Sequence, residues 1–139
     1  MKVYLLYDHD DRIEGVYSEA AKEVREEQFY EGALLNREHR NSMLIAEVQE
    51  LRAMRKPYLD EAERLLAVER EAKESDNTYV LKETRKERKV ALRQADKLSW
   101  EISKREDKIN NSMLLTHQQI IDTYGTDHYW QEEYVIEVN

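Results

Sequence analysis

From Ala33 to Thr123 the chain contains no glycine and a single proline, Pro57, while apolar residues recur at heptad spacing among Glu, Lys and Arg. Such a stretch has few solutions other than long helices, because heptad periodicity keeps one apolar seam along a helix. The only polar turn-forming interruption is Glu74-Ser75-Asp76-Asn77-Thr78. We therefore expect two arms folded back on each other, Ala33–Glu74 and Thr78–Thr123, each roughly 65 Å long at the helical rise per residue. Leu44, Leu51, Tyr58, Leu65 and Ala72 take one core position of the first arm; Val48, Arg55, Ala62 and Glu69 take the other. In the second arm Leu81, Arg88, Ala95, Ile102 and Ile109 alternate with Thr84, Ala91, Leu98, Arg105 and Ser112. Folding at Asp76 and Asn77 sets Leu51 near Ile102, Leu44 near Ile109 and Tyr58 near Ala95, so large residues meet small ones. Pro57 removes one backbone donor, which predicts a kink or a helix restart there.

The flanks read differently. Val3-Tyr4-Leu5-Leu6-Tyr7 is apolar on both alternating faces, as suits a central strand, and Asp8-His9-Asp10-Asp11 supplies a turn into the alternating run Arg12–Tyr17. Ser18 is a suitable N-cap with Glu19 behind it. Ala20, Ala21, Val24 and Phe29 then give a first short helix an apolar face for the sheet, and Gly32 is a candidate break. The second arm should end near Tyr124-Gly125 with glycine in a left-handed cap. Tyr134, Ile136 and Val138 alternate as a third strand. The fold class is thus α+β and predominantly helical. It has a small three-stranded sheet with strands near 2–7, 12–17 and 133–138, one short helix, and a long antiparallel helical hairpin. The expected domains are a base, 1–32 with 124–139, and a coiled-coil-like arm, 33–123.

Met1-Lys2-Val3-Tyr4, then Gly15-Val16-Tyr17-Ser18-Glu19-Ala20-Ala21, and the closing Glu132-Glu133-Tyr134-Val135-Ile136-Glu137-Val138 carry a resemblance. These ends resemble short uncharacterised bacteriophage accessory proteins with a ββα…β base, the long hairpin standing as an insertion. The resemblance covers roughly a quarter of the chain and brings no catalytic residues with it. It implies a phage-encoded factor that binds a host or phage complex, and counteraction of host defence is one such role.

The motifs of chemistry are missing from the sequence. There is no cysteine, hence no disulfide framework and no thiolate metal site. His9, His39, His117 and His128 share no ligand spacing, and Asp8-His9-Asp10-Asp11 lacks the length and the glycine of a calcium loop. No phosphate-binding glycine loop or nucleophile elbow occurs. We expect no enzyme activity, no catalytic residues, no cofactor and no metal. Tyr7, Tyr17, Asp127, His128, Tyr129 and Trp130 could line a pocket at the base, although aromatic residues beside a small sheet more often form its core. The alternative function is accordingly a small-molecule or nucleotide-binding site there, centred on Tyr7, His9, Tyr17 and His128.

Charge is uneven. Residues 1–31 and 122–139 each carry a net −5 and residues 32–121 a net +2, within a total of −8. Lys82, Lys86, Lys89, Arg93 and Lys97 form a basic stripe at helical spacing. The stripe could track phosphates, but neighbouring glutamates and the acidic balance argue for a solvated face, and nucleic acid is not the favoured partner. Trp100 falls opposite the partner helix, and Ile45, Leu59 and Leu66 widen the first arm's stripe beyond what two helices cover, unless the register slips by one or two residues around Pro57. Apolar patches of that kind mark interaction surfaces, and tryptophan is prominent in them. The expected partner is a protein, contacted through Leu59, Leu66, Lys86, Lys89, Arg93 and Trp100. A homodimer or larger self-associating bundle is the structural alternative. With no long apolar run, neither a membrane span nor a signal peptide is expected, and the expected setting is cytoplasmic.

Overall fold

A computed structural model describes residues 1–135. The elements in order are β1 (Lys2–Tyr7), β2 (Ile13–Tyr17), α1 (Glu19–Glu74), α2 (Thr78–Ser112), α3 (His117–Tyr124) and β3 (Tyr129–Tyr134). The architecture is α+β and predominantly helical, with a three-stranded antiparallel sheet. The chain divides into two units, Met1–Arg40 with Ser112–Asn139, and Asn41–Asn111. Ala33–Arg40 and residues 112–123 therefore group with the sheet and not with the arm.

In the first unit the sheet order is β2-β1-β3, which puts the most apolar strand in the centre. Asp8 closes the β1–β2 turn: its Oδ1 accepts from the N–H groups of Asp10 and Arg12, and these bonds, led by Arg12, hold its carboxyl below the ordinary carboxylate range. Asp11 takes the left-handed conformation that Asp tolerates in turns. Register places Leu6 opposite Gly15 on one side and Trp130 on the other, and Tyr4 opposite Tyr17 and Glu132. Residues on one face alternate, so Tyr4, Leu6, Tyr17 and Trp130 share a face, and Tyr7 and Tyr129 share the other. On the first face Tyr17 meets Trp130 edge-on and Phe29 of α1 lies against the same indole. Leu6 is completely buried there. Glycine is needed at position 15, because a Cβ would press into the Tyr17 ring.

Ser18 caps α1 as expected, its Oγ accepting from the Ala21 N–H. The face that α1 turns to the sheet differs from the expected one. Ala20, Ala21 and Val24 are exposed, and Phe29 with the aliphatic stem of Lys22 does the covering, the Lys22 Nζ lying 4.4 Å from the Tyr4 ring centroid. Gly32 does not break the helix: a side chain there would meet open space, so glycine costs only backbone entropy at that position. Nor does the helix restart at Pro57. α1 runs through it, with the seam residues Val48 and Ala62 buried on either side.

The second arm is shorter than its heptads suggest. α2 stops at Ser112, and Thr116 starts α3 with a capping box, in which the Thr116 hydroxyl accepts from the Gln119 N–H while the Gln119 side chain accepts from the Thr116 N–H. α3 ends at Gly125, but not in the left-handed form: φ is −78°, and its N–H closes on the Ile121 carbonyl. Glycine is required by proximity, since a Cβ would collide with that carbonyl oxygen. β3 begins at Tyr129, earlier than the alternation of Tyr134, Ile136 and Val138 implied. The last two of those residues lie outside the described residues.

In the second unit Asp76 and Asn77 make the reversal. Asn77 N–H bonds to the Ala72 carbonyl and Asp76 N–H to that of Lys73, with Asp76 at φ 51°, the pattern of a Schellman cap with Asp in place of Gly. Asn77 then caps α2 by accepting from Val80 N–H. The helices run antiparallel, as the cross-pairs Glu47–Arg105, Arg52–Glu106, Arg55–Ser99 and Glu69–Arg85 require. Val48, Ala62, Leu65 and Ala72 of α1 are buried against Thr84, Ala91, Ala95 and Ile102 of α2.

Candidate interaction surface

Charged residues at seam positions are the first thing the hairpin has to accommodate. Glu69, with its side chain largely sheltered, takes Arg85 Nε at 2.8 Å and Arg88 Nε at 2.9 Å. Arg105 reaches Glu47 at 2.8 Å and Glu101 at 2.7 Å, and Arg55 donates to Ser99 Oγ at 3.0 Å. Glu69 and Arg105 are thus ion-paired at the seam, whereas Arg55 has only the Ser99 hydroxyl and its buried Nε has no hydrogen-bond partner among the described residues. The Arg85 hydrogen bond is the main cause that lowers the Glu69 carboxyl below its ordinary pKa, and Arg105 does the same for Glu101.

A depressed folded-state pKa means that the unfolded chain binds the proton more readily. These pairs therefore stabilise the hairpin fully above the ordinary glutamate pKa of about 4.3, and the contribution is lost as pH falls through the lower folded values. In urea titrations between pH 7 and pH 3 the midpoint is expected to drop across that window. Glu69→Gln should flatten part of the drop, and an unchanged profile would show that the pair contributes no linkage.

With the seam filled from within, the residues outside it stand out. Ile45, Leu59 and Leu66 each follow a seam position by one residue, after Leu44, Tyr58 and Leu65, so they form a row along one flank of α1. Leu59 is 43% exposed and Leu66 half-buried. The row is broken by Arg52, whose guanidinium is held by Glu106 at 2.6 Å. On α2, Lys86, Arg93 and Trp100 recur every seven residues along the helix back. Trp100 is 61% exposed, which rules out the register slip that would have turned it inward, and Lys104 Nζ sits 4.3 Å from its ring centroid. Lys89 lies off that row, one residue past the seam position Arg88. Lys86 and Lys89 do come together, with Lys82, around a shallow concavity of about 440 Å³ that includes Leu81. Leu59 and Leu66 thus form an apolar flank, Lys86, Arg93 and Trp100 a basic, Trp-ended back, and Lys89 stands beside that back row.

Tyr79 and Val90 were missed. Both are exposed, and Tyr79 stands seven residues before Lys86 on the same row as Trp100, so heptad position alone could have found it.

No protein family, curated protein or solved structure matches this chain. Its surface chemistry therefore carries the functional reading. Among the described residues no helix is long and apolar enough to cross a membrane, and no cluster of three or more His, Cys, Asp or Glu is arranged to hold a metal ion.

The aromatic and titratable residues of the sheet do not converge on one site. Tyr7 and Tyr129 stack at 4.9 Å on the face away from Tyr17 and Trp130, and the Tyr129 hydroxyl donates to Asp11 Oδ1 at 2.6 Å, which pushes its pKa up to about 12. His9 is exposed beside Asp10 in the turn. His128, by contrast, is held in place, with Nε2 3.0 Å from Glu14, Nδ1 2.6 Å from Thr126 Oγ1, and its ring stacked on Phe29. Of the residues expected at a basal pocket, Asp127, His128 and Trp130 line a cleft with Phe29, His117 and Asp122. His117 and Asp122 belong to α3, whose start was signalled only by the Thr-x-x-Gln pattern at Thr116–Gln119.

Proposed function

We propose that the protein is a non-enzymatic binding protein that occupies a surface of a partner protein through its helical hairpin and blocks or redirects that partner sterically. The observation that carries this reading is the exposure of Trp100 and Leu59 on a hairpin whose seam is already filled by residues of its own two helices. Those side chains leave a large part of their apolar surface uncovered by the hairpin, and large exposed apolar side chains beside basic groups are what a protein interface uses. Lys86, Lys89 and Arg93 would favour an acidic rim on the partner and speed association at low salt. Given the resemblance of the chain ends to phage accessory proteins, the partner belongs to a host or phage complex, and inhibition of a host defence complex is one such outcome.

Affinity purification from the host, followed by mass spectrometry, identifies the partner. Trp100→Ala and Lys89→Glu are then expected to weaken its capture by about tenfold or more, the scale of a hot-spot truncation. Undiminished capture by both variants would remove this surface.

Self-association is the second reading, favoured by the Ile45, Leu59 and Leu66 row. Sedimentation across a concentration series distinguishes it, and a strict monomer eliminates it.

A further inference from the structure

The two outer surfaces of the hairpin complement each other in size and in charge. The positions farthest from the seam are Ala46, Ala53, Asp60 and Ala67 on α1, and Tyr79, Lys86, Arg93 and Trp100 on α2. All eight are exposed. Each row has the same heptad spacing and spans about 32 Å at the helical rise per residue. The α1 row is small except at Asp60, and the α2 row is large throughout, with an aromatic residue at each end. Laid on each other in either direction, the rows put both aromatic rings on alanines and set one inner cation against Asp60. That cation is Lys86 if the helices run antiparallel and Arg93 if they run parallel. Large side chains then enter the space that small ones leave, as close packing requires.

The charges beside the rows match as well. Lys82, Lys86, Lys89, Arg93 and Lys97 make no ion pair or side-chain hydrogen bond among the described residues, and Glu83 and Asp96 are the acids beside them on that surface. Glu87 interacts instead with Arg64 of α1. On the α1 side Glu50, Asp60, Glu63 and Glu71 outnumber Lys56 and Arg70, because the Arg64 guanidinium is held by Glu61 at 2.6 Å. In either direction of docking Lys82 and Lys97 come level with Glu50 and Glu63. Like charges also meet, Lys56 with Lys89 or Arg70 with Lys104, but they are fewer. Opposite charges at matched levels steer an encounter and fix its register.

We propose that a second copy of this chain covers the outer surface of α2 with the outer surface of its own α1. The inference rests on the self-association reading above and gives it two unlike faces. Because the faces differ, the contact is heterologous: each copy offers α2 to one neighbour and α1 to another, so association runs past the dimer.

Sedimentation equilibrium of the full chain over a concentration series tests it. The weight-average mass is expected to rise past that of a dimer, and to rise less at high salt. Trp100→Ala should weaken association by about tenfold or more. Asp60→Lys should weaken it by about threefold or more, with circular dichroism unchanged because the site is exposed. One charge swap should then restore it: recovery on adding Lys86→Asp assigns the antiparallel arrangement, and recovery on adding Arg93→Asp the parallel one. A strict monomer overturns this inference together with the self-association reading. Association that stops at a closed dimer, that is unaltered by Trp100→Ala or by Asp60→Lys, or that neither swap restores overturns this inference alone and leaves self-association to the row of Ile45, Leu59 and Leu66.

Discussion

Truncating Leu6 to alanine is expected to cost about 2–5 kcal/mol, the range for large-to-small changes in a tight core. Leu6 is 0% exposed, one residue before the end of the middle strand. The hole cannot close easily. One cross-strand neighbour, Gly15, has no side chain to move into it, and the other, Trp130, is held between Tyr17 and Phe29. The first unit has few other buried apolar residues, Val3, Ala33 and Ile120 among them, so little of its core is left to compensate. A loss of that size is a large part of the 5–15 kcal/mol that usually separates folded from unfolded domains. Urea unfolding followed by tryptophan and tyrosine fluorescence reads the change. Leu6→Met, which keeps the volume, should cost less than about 1.5 kcal/mol. Equal costs for the two variants would show that the cavity is not the cause.

How much of this was legible beforehand depended on whether local pattern or tertiary contact decided the outcome. The helical reversal, the central position of β1 and the outward placement of Trp100 all follow from periodicity, and periodicity is a property of the chain alone. The end of α2 does not. Met113-Leu114-Leu115 continues an apolar run, and only the capping pattern at Thr116–Gln119 marks a new helix. β3 was set by its partner: pairing of Trp130 with Leu6 and Tyr129 with Tyr7 fixes where the strand begins, whatever alternation follows it. Pro57 predicts a kink or a restart and Gly32 a break, because each disfavours a helix locally, yet α1 continues through both without restarting. Tertiary burial of Val48, Ala62 and Ala33 near them outweighs a cost of about 1 kcal/mol for Gly and about 3 kcal/mol for Pro. The cleft was half visible. Asp127, His128 and Trp130 are close in sequence, but Phe29, His117 and Asp122 reach it only through the fold.

Placing a carboxylate inside the hairpin seam, by Ala91→Asp, is expected to be the most damaging single change in the second unit. Ala91 is 6% exposed, and Ala62, equally far on the other side of the Asp76–Asn77 reversal, is buried too. Two alanines at one level of the seam let the helix backbones approach, which leaves no volume for a larger side chain and no water for a charge. The nearest seam cation, Arg88, is already taken by Glu69. The new carboxylate would be buried without a partner, at a cost of about 4 kcal/mol or more, the class of effect reserved for unpaired buried charge. Its pKa must rise in the folded state, so the folded chain binds the proton more readily than the unfolded one, and stability relative to the parent falls as pH increases. The deficit should accordingly be smaller at pH 3.5 than at pH 7. Helical circular dichroism through thermal melts of both proteins at the two pH values reads the difference. Ala91→Leu separates volume from charge: overpacking is expected to cost about 1–3 kcal/mol with no dependence on pH. A pH-independent loss in Ala91→Asp would show that crowding, and not charge burial, is what the seam cannot tolerate.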